Sequence, residues 1–152
     1  MRYLIFSLGF TLIHMFSYTL AGAIILKYSK DTYNGKSRIM TYLRDMSSDN
    51  ESKHVQKFFL PAQFMRGILM SIALYPILGV VGELGFFAKL VFSFSLMFVF
   101  THIASAAPCP DNLEGFVYLK EEFFSKKTFL KFQIEMIMYS SVFAILATLF
   151  IM

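Results

Sequence analysis

The chain has 152 residues, of which 57% are hydrophobic, and its mean hydropathy is +0.59. A soluble domain of this size could not bury so much apolar surface, so the composition excludes an ordinary soluble fold and predicts a protein whose main partner is the lipid bilayer. The net charge of +4 comes without a platform of aromatic and basic residues, so we expect no nucleic-acid partner.

Four apolar stretches are each close to the roughly 20 residues that a helix needs to span a bilayer. They occupy residues 3–26, 58–82, 86–107 and 132–152. The sequence therefore predicts an all-α integral membrane protein in which a single domain, residues 1–152, forms a compact bundle of four transmembrane helices. The segment 79–85 contains three glycines and predicts a tight hairpin between the second and third helices.

The first apolar stretch also has features of a secretory signal peptide, because Ala21-Gly22-Ala23 imitates a cleavage site. However, its apolar run is longer than a usual signal core. Cleavage would also send seven basic residues of the next loop outward. We therefore expect the stretch to be retained as the first transmembrane helix.

Two polar loops separate the predicted helices. The first loop, residues 27–57, contains Ile39, Leu43 and Met46 at helical spacing, which predicts either a short helix on the membrane surface or a solvated loop. The third loop begins at Pro108, where we expect the third helix to end because proline cannot continue it. Cys109 follows; a single cysteine excludes an internal disulfide and a multi-cysteine metal site, and its place beside the membrane would allow lipidation.

The distribution of basic residues predicts the orientation of the chain. Eleven of the 14 Lys and Arg residues lie in the first and third loops, whereas only Arg2 and Lys89 lie on the opposite side. Loops rich in Lys and Arg stay in the cytoplasm. The sequence therefore predicts that both long loops are cytoplasmic and that both termini are outside the cell membrane.

Polar residues within the predicted spans are expensive in lipid, so each should have a partner or a function. We define the predicted polar cluster as five such residues on the second, third and fourth spans: Gln63, Arg66, His102, Glu135 and Tyr139. We expect Arg66 and Glu135 to pair across two helices, as a structural ion pair, as part of a solute path or in catalysis. The alternative partner of Glu135 is Lys131, one helical turn away on the same helix.

A polar stripe runs along the first span, where Ser7, Thr11, His14 and Tyr18 recur at helical spacing. We interpret His14 as a hydrogen-bonded packing residue rather than a ligand or a proton relay. Small residues spaced four apart, such as Gly67 and Ser71, predict close contacts between helices.

The third loop offers a possible loop site formed by Asp111, Asn112 and Glu114. Asp111 and Glu114 have the spacing of a helix capping box, in which two side chains satisfy the first free backbone N–H groups of a helix. The alternative is that Asp111 or Glu114 binds a lipid headgroup or acts in acid–base chemistry.

Familiar catalytic and nucleotide-binding motifs are absent from the sequence, including HExxH, GxSxG, Walker A and CxxC. We therefore expect no metal and no cofactor, and we favour a small non-enzymatic membrane protein. It would form a homo-oligomer or a membrane complex and act as an ion or small-solute channel or transport component. One alternative is an accessory or scaffold subunit whose cytoplasmic loops dock a soluble partner; another is a membrane-embedded lipid-modifying enzyme that uses His102 with Asp111 or Glu114.

These three functions predict different structures. Conduction predicts polar stripes that converge on a water-accessible path in the assembled protein. An accessory subunit predicts a bundle whose centre is filled by aromatic side chains, with no water-accessible path. A lipid-modifying enzyme predicts a lateral pocket open to lipid, with two titratable groups within hydrogen-bond reach.

Overall fold

The computed structural model describes residues 1–36, 38, 40–123 and 126–152. The chain is 77% helical, and the described residues form no strand, which confirms the all-α class. The helices, in chain order, are α1 (Arg2–Ile25), α2 (Lys30–Tyr33), α3 (Asp49–Ala73), α4 (Leu78–Glu83), α5 (Phe86–Ser95), α6 (Leu113–Tyr118) and α7 (Lys126–Phe150). Short 3₁₀ turns at Tyr75–Ile77 and Glu121–Phe123 precede α4 and α7.

Among the described residues, three helical segments are long and apolar enough to cross a membrane: α1, α5 with its π-helical continuation, and α7. A fourth candidate exists if α3 and the segment Tyr75–Glu83 count together, although the two are bent by 41°. The bend follows Leu74, where Pro76 enters the 3₁₀ turn and supplies no backbone N–H to a continuing α-helix. The described residues thus contain three to four candidate spans, and the span predicted for residues 58–82 corresponds to the bent pair.

Two helices begin earlier than their apolar stretches. α3 begins at Asp49 rather than at residue 58, and α7 begins at Lys126 rather than at residue 132. In α3, Asp49 and Glu51 lie in the first turn, where negative charge complements the positive end of the helix dipole. Polar residues therefore extend the helix beyond its apolar part.

A π-helix, Leu96–Ile103, continues α5. Its wider turn is visible in the hydrogen bond that the Ala104 N–H donates to the Val99 carbonyl, five residues earlier, at 2.9 Å. The helix ends there, before Pro108. π-Helical turns are rare and occur frequently at functional sites, and this one carries His102.

The core lies where α1 packs against both α3 and α7, while α5 packs against the other side of α7. Phe10 and Phe143 meet edge to face, with ring centroids 5.0 Å apart, and both are fully buried. Tyr139 and Met97 are also fully buried next to them. Aromatic side chains therefore close the centre of the bundle.

Hydrogen bonds among its own polar groups stabilise the described part of the first loop. Gly35 adopts a φ of +85°, a left-handed conformation that glycine tolerates best. The Asp45 carboxylate accepts hydrogen bonds from the backbone N–H groups of Gly35 and Ser47, at 2.9 and 2.8 Å. Hydrogen bonds from the Ser47 hydroxyl and from these two N–H groups lower the pKa of Asp45 to about 2.

The surface helix considered for the first loop does not form in its described residues. Leu43 and Met46 lie in turns rather than in a helix, and Ile39 lies outside the described residues. Arg38 explains part of this geometry, because its guanidinium donates to the carbonyls of Thr41 and Leu43 at 3.2 and 2.8 Å. Those carbonyls are therefore engaged by a side chain instead of by helical N–H groups.

Candidate functional site

The polar stripe on α1 faces the interior of the bundle. Ser7 and Thr11 are buried, and the Ser7 hydroxyl lies 2.8 Å from that of Ser71 and 2.6 Å from that of Tyr75. A Cβ atom at Gly67 would lie 2.8 Å from the Thr11 side chain and 2.9 Å from its Cα atom. Gly67 and Ser71 thus allow α1 and α3 to approach closely within one chain.

His14 occupies the junction of the helices. Its Nδ1 atom lies 2.8 Å from the Tyr139 hydroxyl, and its Nε2 atom lies 3.1 Å from the Gln63 Oε1 atom. The Tyr139 hydroxyl also lies 3.1 Å from the Met97 sulfur. One buried network therefore connects α1, α3, α7 and the π-helix, and His14 has the surroundings of a hydrogen-bonded packing residue.

Arg66 and Glu135 do not form an ion pair with each other. The Arg66 guanidinium instead lies over the Tyr18 ring, 5.8 Å from its centroid. The Glu135 carboxylate lies beside α1, with Oε1 3.9 Å from the position that a Cβ atom on Gly22 would occupy. Because α1 packs against both α3 and α7, its residues contact the two charged side chains that we expected to meet.

The alternative partner of Glu135 is engaged elsewhere. The Lys131 ammonium bonds the Asp31 carboxylate, which also accepts from Lys127 at 3.0 Å. The hydrogen bonds from Lys131 and then Lys127 lower the pKa of Asp31. Among the described residues, Glu135 therefore has neither of the two cations that the sequence suggested.

His102 joins the third loop to the bundle. Its Nδ1 atom lies 3.2 Å from an Asp111 carboxylate oxygen, and its Nε2 atom lies 3.3 Å from Gln133 Oε1. The Gln133 amide nitrogen donates to the Asp111 backbone carbonyl at 2.7 Å, which assigns the amide orientation. Gln133 Oε1 can only accept, so His102 Nε2 is the donor of this hydrogen bond, and His102 Nδ1 faces the Asp111 carboxylate.

The prediction that Asp111 forms the N-cap of a capping box is wrong. Asn112, not Asp111, caps α6: its side-chain oxygen accepts from the Gly115 N–H at 2.8 Å and from the Cys109 N–H at 3.1 Å. Asp111 is instead drawn to His102, and Glu114 lies in the first turn of α6. Cys109 is a free cysteine on the surface, and the pKa of its thiol is raised, first by partial loss of hydration and then by the charge of Asp111.

A lateral cavity of about 690 Å³ lies between α1, α3 and the first loop, and we refer to it as the α1–α3 cavity. Glu135 of α7 forms part of its wall. Most other lining residues are apolar or aromatic, and the principal ones are Tyr18, Gly22, Leu26, Tyr33, Leu43, Met46, Phe59 and Leu60. Arg44 also lines the cavity, on the loop side, where it is exposed.

Tyr33 shows how the loop covers this cavity. It lies at the end of α2, and its ring meets that of Phe132 edge to face at 6.1 Å. Burial, and then the charge of Glu135, raise the pKa of the Tyr33 phenol. The cavity could not be predicted from the sequence, because Gly22 and Tyr33 are far from Glu135 in the chain and no motif relates them.

Among the described residues, no group of three or more His, Cys, Asp or Glu side chains is placed to hold a metal ion. Comparison of the chain with protein-family models, curated proteins and solved structures found no match. The function must therefore be argued from the geometry of this chain, in which the α1–α3 cavity combines a volume of about 690 Å³ with the Glu135 carboxylate in its wall.

Proposed function

We propose that the chain is a polytopic membrane protein with four spans, the second of which is bent at Pro76. The outward face of α1 supports this proposal, since Leu4, Leu12 and Phe16 are 63%, 66% and 56% exposed. Water would solvate such a continuous apolar face poorly, whereas lipid tails would cover it. Four polar residues of α1, Ser7, Thr11, His14 and Ser17, lie on the opposite, buried face.

The basic loops support an orientation with the first and third loops in the cytoplasm and both termini outside. The α1–α3 cavity, whose wall includes loop residues Leu43 and Met46, would then lie in the cytoplasmic half of the bilayer. A molecule dissolved in that leaflet would reach it from the side, between α1 and α3.

Within this arrangement, the function that the geometry supports best is the binding of a small amphiphilic solute, as a component of transport. The α1–α3 cavity carries this proposal. Its volume of about 690 Å³ falls within the range of about 300–1,000 Å³ that is usual for small-molecule sites. Its apolar wall with a few polar groups suits a molecule that partitions into lipid.

An ion path through one copy of the chain has less support. Two polar groups of the α1 stripe bond neighbouring helices, Ser7 with Ser71 and His14 with Gln63. Phe10 and Phe143 close the centre. Movement of a solute across the membrane would therefore use an assembly, and we propose a homo-oligomer, which light scattering of the purified protein in nanodiscs would measure.

The closed aromatic core also favours a second candidate, an accessory subunit that presents its loops to a soluble partner. A lipid-modifying enzyme has less support, although His102 and Asp111 lie within hydrogen-bond reach. Both ring nitrogens of His102 are engaged, by Asp111 and Gln133. Neither nitrogen is free to take a proton from a substrate.

Photolabelling in nanodiscs would test the binding function. The probe is an uncharged long-chain alcohol that carries a diazirine, and mass spectrometry of peptides locates the labelled residues. We expect saturable labelling of α1 and α3 residues that line the cavity. Gly22→Phe should reduce it several-fold, because a Cβ atom there meets Glu135 only at an ordinary distance of 3.9 Å and the ring would fill the cavity.

Gly79→Phe is the matched control, because a Cβ atom at Gly79 has no neighbour within 4 Å and this residue lies outside the cavity. It should leave labelling unchanged. Labelling that never saturates, or that falls equally in both variants, would contradict the proposed function.

A further inference from the structure

We propose that the α1–α3 cavity selects lipophilic cations, molecules that join an amine or quaternary ammonium group to a hydrocarbon, and that Glu135 is their counter-charge. This inference rests on the proposed function, because it names the class of solute that the cavity binds. It follows from three features of the cavity wall: an unpaired carboxylate, several aromatic rings and the engagement of the nearby charges.

Glu135 is the only acidic residue among those that line the cavity. It is partly buried, and its carboxylate forms no hydrogen bond or ion pair with any described residue. Partial burial removes some of the water from this carboxylate, so its ionised form is stabilised by a cation that enters beside it. A hydrocarbon chain on that cation would occupy the apolar remainder of the cavity.

Three aromatic residues, Tyr18, Tyr33 and Phe59, line the same cavity. Aromatic faces attract cations, most strongly where water is excluded. The protein already uses this interaction at the cavity, because the Arg66 guanidinium lies over the Tyr18 ring at 5.8 Å. A combination of aromatic rings and one carboxylate suits an ammonium group better than an alcohol or an anion.

The surrounding charges leave this preference intact. Asp111 is bonded to His102, and the Lys131 ammonium is bonded to Asp31. Arg44 is the only cation among the lining residues, and it is exposed on the loop side. Solvent screens such an exposed charge. Arg66 does not line the cavity and lies over the Tyr18 ring, so Glu135 is the acidic charge that the cavity wall offers to a cation.

Three photoprobes with the same diazirine-bearing chain and different head groups would test the inference: a trimethylammonium, an alcohol and a sulfate. The full chain in nanodiscs of uncharged lipid is labelled with each. We expect the trimethylammonium probe to saturate at the lowest concentration. Glu135→Gln should weaken its binding roughly tenfold and should reduce the difference in affinity between the trimethylammonium and alcohol probes, since only the charge is removed.

Glu83→Gln is the matched control, because Glu83 is an exposed carboxylate outside the cavity. It should not alter the binding of any probe. A second pair of variants keeps the test independent of Glu135. Tyr33→Leu should weaken binding of the trimethylammonium probe, whereas Tyr33→Phe should bind it as the unmodified chain does, since the phenyl ring remains. Size-exclusion profiles of all variants report whether the bundle stays folded.

The outcomes separate the two proposals. Saturable binding of all three probes with equal affinity, unaffected by Glu135→Gln, would overturn the cation inference and leave the proposed function standing. Preference for the sulfate probe would also overturn the inference and would point to Arg44. The absence of saturable labelling by any probe would overturn both.

Discussion

Replacing Tyr139 by phenylalanine would remove one hydroxyl from the centre of the bundle and leave the ring in place. That hydroxyl lies 2.8 Å from His14 Nδ1 and 3.1 Å from the Met97 sulfur. Because Tyr139 and His14 are fully buried, water cannot supply a substitute partner for the imidazole nitrogen. Tyr139→Phe should therefore destabilise the folded protein.

The expected size of the effect follows from two scales. Leaving a buried polar group without its partner costs about 1–3 kcal/mol. Hydrogen bonds between transmembrane helices average about 0.6 kcal/mol and reach about 1.7 kcal/mol. We therefore expect the free energy of unfolding to fall by about 1–2 kcal/mol. His14→Leu should cost more, because it also removes the contact with Gln63 at 3.1 Å.

Unfolding in mixed micelles of increasing SDS content, followed by far-UV circular dichroism, measures these changes. A double-mutant cycle between His14→Leu and Tyr139→Phe should give a coupling of about 0.6–1.7 kcal/mol. Tyr28→Phe is the matched control, because Tyr28 is 74% exposed and should contribute nothing. If the two effects add to within about 0.3 kcal/mol, the hydrogen bond does not stabilise the bundle and the reasoning is refuted.

Two further predictions concern packing and orientation. Gly67→Ala should lower the free energy of unfolding by about 1–3 kcal/mol, because its Cβ atom would meet the Thr11 backbone at 2.9 Å. Gly79→Ala is the control and should leave the free energy of unfolding unchanged, because there is open space around Gly79. Equal effects of the two substitutions would argue against close packing of α1 and α3. In a Cys109→Ser background, Ser48→Cys should resist a membrane-impermeant thiol reagent in intact cells, and labelling there would reverse the proposed orientation.

The helical class and most of the helix positions could be predicted from sequence, because apolar length is a property of each segment alone. Helix ends were predicted less well, since apolarity marks the part that lipid can cover and not the part that is helical. α3 shows the difference: Asp49 and Glu51 extend it into polar sequence at one end, and Pro76 bends the chain at the other.

The contacts of the predicted polar cluster could be predicted only in part. Sequence gives the depth of Arg66 and Glu135 along their helices, but neither the rotation of each helix nor the order in which the helices pack. Placing α1 against both α3 and α7 brings Tyr18 to Arg66 and Gly22 to Glu135. The cavity arises from the same packing, with Tyr33 added from a loop whose path no local pattern determines.

The position of α2 explains why Glu135 is left without a cation, and this explanation can be tested. Lys131 precedes Glu135 by one helical turn and could pair with it, but its ammonium bonds Asp31 of α2. Asp31→Asn would weaken that attachment and release Lys131 toward Glu135. We therefore expect this variant to weaken binding of the trimethylammonium probe, although Asp31 does not line the cavity.

The same change should alter stability by no more than about 1 kcal/mol, because Asp31 is 41% exposed and surface ion pairs contribute little. Binding of the alcohol probe should not change, since it does not depend on the charge of Glu135. Glu83→Gln, at an exposed carboxylate outside the cavity, serves as the control. The contrary result would be that Asp31→Asn leaves binding of the trimethylammonium probe unaltered while Glu135→Gln reduces it. Lys131 would then not compete for Glu135, and the position of α2 would not explain why the Glu135 carboxylate is unpaired.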